Sequence, residues 1–368
     1  MNLLNLYEKL EHFVQKLPQP LQSPILREIT PIKTLFLQQR APRILLFGDR
    51  TASRSSLANA LFGHAVAHGA EDHVQVADWE LYSHGHGGLR MLDARRPAAV
   101  GPLRRTLSAQ SPDVCLFLHV EPRDPAEIAA DMEHAKQVLE SLHSGGEDVR
   151  LPVIGVSVNS TGTADPEAAR RSLHEAFADS GRHPFGDKVA GFYVLHGGTG
   201  EAHSLAKAIA LELPPEARLE MGRLSGVKEV QRESAQVVIK SMTAICGAIG
   251  AQPIPLADFP ILTSLQAAMV AGIMHISGRE LSLKLGGQWI AALGANIGIA
   301  LALREGARAA LKFVPIWGDV VSGGIAAAGT YAIGRAAAAY FVEGVTLQDA
   351  RSMFRKSKGH GVAPLLKE

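Results

Sequence analysis

Short unbroken apolar runs alternate with helical patterns over the first part of the chain. Arg43-Ile44-Leu45-Leu46-Phe47 reads as a buried strand, ended by Gly48 and followed by a helical stretch from Ser55 to Phe62. Similar runs recur at Leu89 to Leu92, Val114 to Val120, Val153 to Val158 and Gly191 to Leu195. Helical patterns lie between them, notably Asp124 to Leu142, where Asp124 can cap and Pro125 can open the first turn, and Pro166 to Phe177. Ahead of the first strand, Leu3, Leu6, Leu10, Phe13 and Leu17 make one helical stripe, and a second helix is expected after Pro24. Strands without polar alternation, separated by helices, predict a mostly parallel sheet covered by helices.

The pattern changes near Gly226 to Glu233. Residues 235–345 carry 12 charged side chains, whereas residues 1–234 carry 54. Ile261 to Ser277 and Leu285 to Leu303 are free of charge, and Val320 to Val342 holds only Arg335. Such stretches approach the length of a membrane span. They are nevertheless rich in Ala and Gly, and His275, Gln288 and Asn296 interrupt them. The pairs Gly294 with Gly298 and Gly324 with Ala328 have the spacing that lets helices touch closely. Two readings stand: helices inserted in or attached to a membrane, and a soluble bundle with tight contacts.

Bulk charge excludes little else. Lys plus Arg number 37 against 36 for Asp plus Glu, which gives no footprint for nucleic acid. Cys115 and Cys246 each sit in an apolar run, so neither a disulfide framework nor a thiolate metal site is expected. His64, His68, His73, His84 and His86 lack a carboxylate or thiolate at fixed spacing and make a weak case for metal. The order of residues assembles no nucleophile with its base, so no catalytic residue is assigned.

The first strand-to-helix turn carries the most specific signal. Gly48-Asp49-Arg50-Thr51-Ala52-Ser53-Arg54-Ser55 places Gly at the first and Ser at the eighth position of a phosphate-binding loop, directly after a buried strand. The continuation Ser55-Ser56-Leu57-Ala58-Asn59-Ala60-Leu61-Phe62-Gly63 resembles the Era-like branch of small bacterial GTPases. Leu92-Asp93, Val158-Asn159 and Leu195-His196-Gly197 follow where that family keeps its other nucleotide motifs. The resemblance covers roughly Arg43 to Pro215. It implies a P-loop GTPase-like fold with a site for GTP or GDP and Mg²⁺ formed from Gly48, Ser53, Arg54, Ser55, Ser56, Asp93 and Asn159, the metal meeting Ser55 and Asp93.

The departures fall on the working positions. Ser53 replaces a glycine that needs positive φ, at a cost of about 1 to 2 kcal/mol in that conformation. Arg54 replaces the lysine, and a flat guanidinium does not do the work of a compact ammonium. Asp93-Ala94-Arg95-Arg96 lacks the family's terminal glycine, and Asn159-Ser160-Thr161-Gly162 lacks the lysine and carboxylate that read guanine. Each lost charged contact is worth about 1.5 to 3 kcal/mol, so a degenerate site with weak or absent nucleotide binding is expected. Without phosphate, Arg54 and Arg96 should turn to carboxylates such as Asp93 or Asp49.

In the later segment, Pro253-Ile254-Pro255-Leu256-Ala257-Asp258, Val314-Pro315-Ile316-Trp317-Gly318-Asp319 and Gly329-Thr330-Tyr331-Ala332-Ile333-Gly334 resemble a helical domain of unknown function. That domain is found behind bacterial GTPase domains and in predicted inner-membrane proteins, and the resemblance implies membrane association. Arg351, Arg355, Lys356 and Lys358 could meet anionic headgroups.

The expected order is N-terminal helices over 1–42, a GTPase-like α/β domain over 43–225, an all-α, small-residue-rich helical domain over 226–345, and a basic tail over 346–368. The expected function is a membrane-associated pseudo-GTPase scaffold or regulator at the cytoplasmic face of a bacterial inner membrane. Its partners would be membrane lipid or a membrane protein, with homo-oligomers through the helical domain and no nucleic acid. The alternatives are an active GTPase in membrane remodelling or transport, and a pore or channel component.

Overall fold

The computed structural model describes residues 14–15, 19–63, 77–84, 87–96, 98–120, 123–142, 151–158, 165–179, 189–195, 199–251, 258–294 and 317–359. The chain divides into two compact units, Arg40–Val230 and a second made of Met1–Gln39 with Gln231–Glu368.

The first unit is α/β. Its strands are β1 (Arg43–Gly48), β2 (Glu80–His84), β3 (Gly87–Asp93), β4 (Val114–Val120), β5 (Val153–Val158) and β6 (Val189–Leu195). They form one sheet in the order β2-β3-β1-β4-β5-β6. β2 runs antiparallel to β3, and every other pairing is parallel. β1 lies central because Ile44 to Phe47 is apolar at every position, which suits a strand covered on both faces. Its even positions, Ile44 and Leu46, meet Leu57 and Leu61 of α2 (Arg54–Phe62) and Leu205 and Ile209 of α6 (Thr199–Glu212). Its odd positions, Leu45 and Phe47, meet Leu103 of α3 (Val100–Ala109), Met132 and Val138 of α4 (Pro125–Leu142) and Phe177 of α5 (Pro166–Asp179). α7 (Pro215–Leu224) adds Ala217 and Met221 to the first of these cores.

The helix after β1 thus covers one face, and the helices after β3 and β4 cover the other. Connections that diverge in this way open a crevice at the carboxyl ends of adjacent parallel strands. The loop after β1 and the residues after β3 and β4 all meet there.

The second unit contains α1 (Gln19–Leu37), most of α8 (Lys228–Gly250), α9 (Asp258–Ile276), α10 (Leu283–Leu293), α11 (Trp317–Ala338), a π-helical turn Ala339–Glu343 and α12 (Leu347–Gly359). The helix expected after Pro24 begins at Gln19 instead, and both Pro24 and Pro31 lie inside it. Ile25, Ile29 and Ile32 are buried along one side, and their packing outweighs the two missing backbone donors. The apolar stripe expected at residues 3–17 falls almost wholly outside the described residues.

Small residues do bring helices close, one position earlier than the Gly324 and Ala328 pair. A Cβ at Gly323 would lie 2.8 Å from the Ala251 Cβ and 2.9 Å from the Gly247 carbonyl oxygen, and one at Gly247 would lie 3.2 Å from the Ala327 Cβ. Gly324 faces open space. Gly294 ends α10, and Gly298 lies outside the described residues. Seven residues beyond Gly323 along α11, Gln266 Nε2 donates to Thr330 Oγ1 at 3.0 Å, joining α9 to α11. Burial pushes the Cys246 thiol up to about 12, although a hydrogen bond with Thr330 works the other way. Among the described residues one stretch, Gly323–Glu343, is long and apolar enough to cross a membrane, with mean hydropathy 1.2, and 56% of its apolar window is buried within the protein. Arg351 does not project freely from the tail: its Nη2 and Nε donate to the Ala292 carbonyl at 2.7 and 3.0 Å, capping the last turn of α10.

Candidate functional site

The loop Gly48 to Ser53 begins where β1 ends. Gly48 has φ 89°, and a Cβ there would collide with the Leu118 carbonyl of β4, so both conformation and space demand glycine. The Asp49 amide then donates to that carbonyl at 2.8 Å. Asp49 Oδ1 accepts the Thr51 amide and hydroxyl, each at 2.8 Å. Ser53 does not take the positive φ that a phosphate-binding loop would require. Its φ is −71° and ψ 126°, and its Oγ accepts the Ser56 amide at 3.2 Å as an ordinary helix cap. The expected strain is therefore absent because the loop has a different conformation. Ser55 is half-buried and Ser56 exposed in the first turn of α2.

Arg95 fills this loop. Its Nη1 donates to the carbonyls of Asp49 at 2.9 Å and Ala52 at 2.6 Å. Its Nε and Nη2 donate to the two Asp93 oxygens, both at 2.8 Å, and its amide also reaches Asp93 Oδ1. The residue is 4% exposed. A planar fork with five donors suits four acceptors spread over a carboxylate and two carbonyls. Ala94 sets the approach: its amide donates to the Leu46 carbonyl at 3.0 Å, and His134 of α4 meets its carbonyl at 3.0 Å.

Arg54, at the start of α2, pairs with Glu80 of β2 at 2.8 Å and approaches Asp93 at 3.8 Å. Tyr82 donates its hydroxyl to the same Glu80 oxygen. Arg96 turns away from Asp93 and Asp49, contrary to the expectation for it, and pairs with Asp131 of α4. Arg123, after β4, joins Asp131 at 2.6 Å, Glu127 at 3.2 Å and Asp49 Oδ2 at 3.4 Å. Four guanidinia and five carboxylates thereby tie together the segments that follow β1, β3 and β4 and the edge strand β2. Burial raises the Asp93 carboxyl, but the Arg95 hydrogen bonds and charge, with Arg54 behind them, outweigh it and hold it below the usual carboxylate range. Burial lowers the Arg123 guanidinium, and Asp131, Asp49 and Glu127 more than restore it.

The structure thus brings Gly48, Ser53, Arg54, Ser55, Ser56 and Asp93 to one place, while Asn159 lies outside the described residues, as do His64, His68, His73 and His86. Sequence reasoning missed Arg95, Glu80, Arg123 and Asp131. One signal was present: Arg123, Glu127 and Asp131 recur every four residues, a helical ion-pair spacing. The residues do not fit a nucleotide phosphate. Two loop carbonyls face inward onto the buried Arg95 guanidinium, and the Asp49, Thr51 and Ser56 amides are engaged by protein oxygens. Among the described residues no group of three or more His, Cys, Asp or Glu side chains is placed to hold a metal ion. No family model matches the chain, and no curated protein matches it.

Proposed function

We propose that the α/β unit is a GTPase-like module working without nucleotide, as a scaffold or regulatory platform. The observation that carries this reading is the Arg95 guanidinium, bonded to the Asp49 and Ala52 carbonyls inside the loop after β1. Nucleotide phosphate would have to expel it and leave Asp93 without its principal partner. Breaking a buried pair of this kind costs about 3 to 5 kcal/mol, equivalent to roughly a hundredfold to several thousandfold in affinity. A micromolar site would become at best a submillimolar one. The sheet order, with the loop after the central strand and Asp93 closing its neighbour, supports the GTPase-like origin of the fold.

Attachment to a membrane through the helical unit is a further element of the proposal, supported by the length and apolar character of Gly323–Glu343. Recovery of the full chain in the membrane fraction, with release by detergent, is the expected result, and complete recovery in the detergent-free supernatant removes this element alone. Calorimetric titration with GTP and GDP in the presence of Mg²⁺ tests the central reading. No saturable heat is expected in the micromolar range, and micromolar binding by either nucleotide refutes it.

A further inference from the structure

At the opposite end of β1 from the loop, about 16 Å away at the rise of a strand, a second group of arginines has too few carboxylates. Arg40 precedes β1, Arg43 opens it, and Arg90 lies in β3. Arg43 and Arg90 are direct partners in the parallel register. They share the sheet face of Leu45 and Leu92, so their side chains leave adjacent strands, about 4.8 Å apart, in one direction.

Asp113 is the carboxylate at this place, and its oxygens are already used. Oδ1 accepts from Arg40 Nη2 at 2.6 Å, while Oδ2 accepts from Arg40 Nη1 at 2.7 Å and from the Arg43 amide at 2.9 Å. Glu216 adds its field at Arg40. Arg90 reaches only the neutral Gln110 Oε1, at 3.2 Å. Among the described residues the Arg43 side chain has neither a hydrogen bond nor an ion pair. Burial and the like charges of Arg40 and Arg90 make its charged form costlier than in water, and the field of Asp113 offsets this only in part, so a further anion would relieve it.

We infer that Arg43 and Arg90 form an oxyanion subsite for a phosphate group. Two guanidinium groups carried on one face of neighbouring strands match a tetrahedral dianion in charge, and each can supply two donors to its oxygens. The subsite does not rest on the proposed function, since it lies at the opposite end of the strands from the loop after β1.

Titration of the full chain with inorganic phosphate at constant ionic strength, followed through the arginine Nε–Hε resonances, tests it. Saturable shifts at Arg43 and Arg90 in the millimolar range are expected, with the Arg54 and Arg95 signals unmoved. Arg43→Gln/Arg90→Gln should weaken the affinity about tenfold or more. Arg43→Lys/Arg90→Lys, which retains charge and the Asp113 contact to the Arg43 backbone position, should weaken it by a smaller factor. Vesicles of phosphatidylcholine with phosphatidic acid form the second arm: saturation of the same signals by vesicles identifies a lipid headgroup as the source, and response to inorganic phosphate alone identifies a soluble phosphate. Absence of saturation by phosphate, or an affinity unchanged in both double variants, overturns the inference.

Discussion

Replacing Arg95 with alanine removes a guanidinium that is 4% exposed and serves both Asp93 oxygens and two loop carbonyls. Loss of one partner from a buried pair costs about 3 to 5 kcal/mol. Asp93 retains Arg54 at 3.8 Å, and its side chain is 22% exposed, so water can reach it. The vacated space can also admit water to the carbonyls. These compensations bring the expected loss to roughly 2 to 3 kcal/mol, above that of a neutral hydrogen bond. Hydrogen exchange of the full chain, read by mass spectrometry, localises the effect. Peptides covering the loop after β1 and the end of β3 should lose protection by about thirtyfold or more, since about 1.4 kcal/mol is tenfold. Arg95→Lys should fall between, because one ammonium cannot serve four separated acceptors. Unchanged protection in these peptides for Arg95→Ala would refute the view that the guanidinium holds the loop.

Gly323→Leu should destabilise the helical unit by about 1 to 3 kcal/mol through overpacking against Ala251 and Gly247, whereas Gly324→Ala, with open space beside it, should be neutral or gain up to about 1 kcal/mol; thermal melts of the two variants separate the cases. Because the Asp93 carboxyl titrates lower in the folded chain than in the unfolded one, its contribution is present above the unfolded value, about 4, and is lost as pH falls through the folded value. Acid unfolding of Asp93→Asn should therefore show a weaker pH dependence below about pH 4 than that of the parent chain. Cys115 and Cys246 are both buried, and with the Cys246 thiol pushed up to about 12, a thiol reagent at pH 8 should react with neither until denaturant is added.

The strands of the α/β unit were legible because burial on both faces writes itself as an unbroken apolar run. Val114–Val120 and Val153–Val158 coincide with the runs that announced them. β2 left no such mark: at this sheet edge Tyr82 is buried while Leu81 is half exposed, so Glu80 to His84 reads as polar and short. The position of the loop was legible from Gly48, whose surroundings admit no side chain. Its electrostatic character was not. A phosphate-binding loop and a guanidinium-binding loop differ in whether amides or carbonyls face inward, and that choice depends on Arg95, which arrives from another strand. Its neighbour Arg96 was an equally plausible cation in the sequence. Only the fixing of Ala94 against Leu46 and His134 decides which of the two turns inward.

The most direct test of the central claim is an experimental structure of the full chain grown with excess GDP and Mg²⁺. The account predicts Arg95 Nη1 within hydrogen-bond distance of the Asp49 and Ala52 carbonyls, and a loop free of nucleotide. A β-phosphate seated on the loop amides, with Arg95 displaced and Ser55 on the metal, would contradict it.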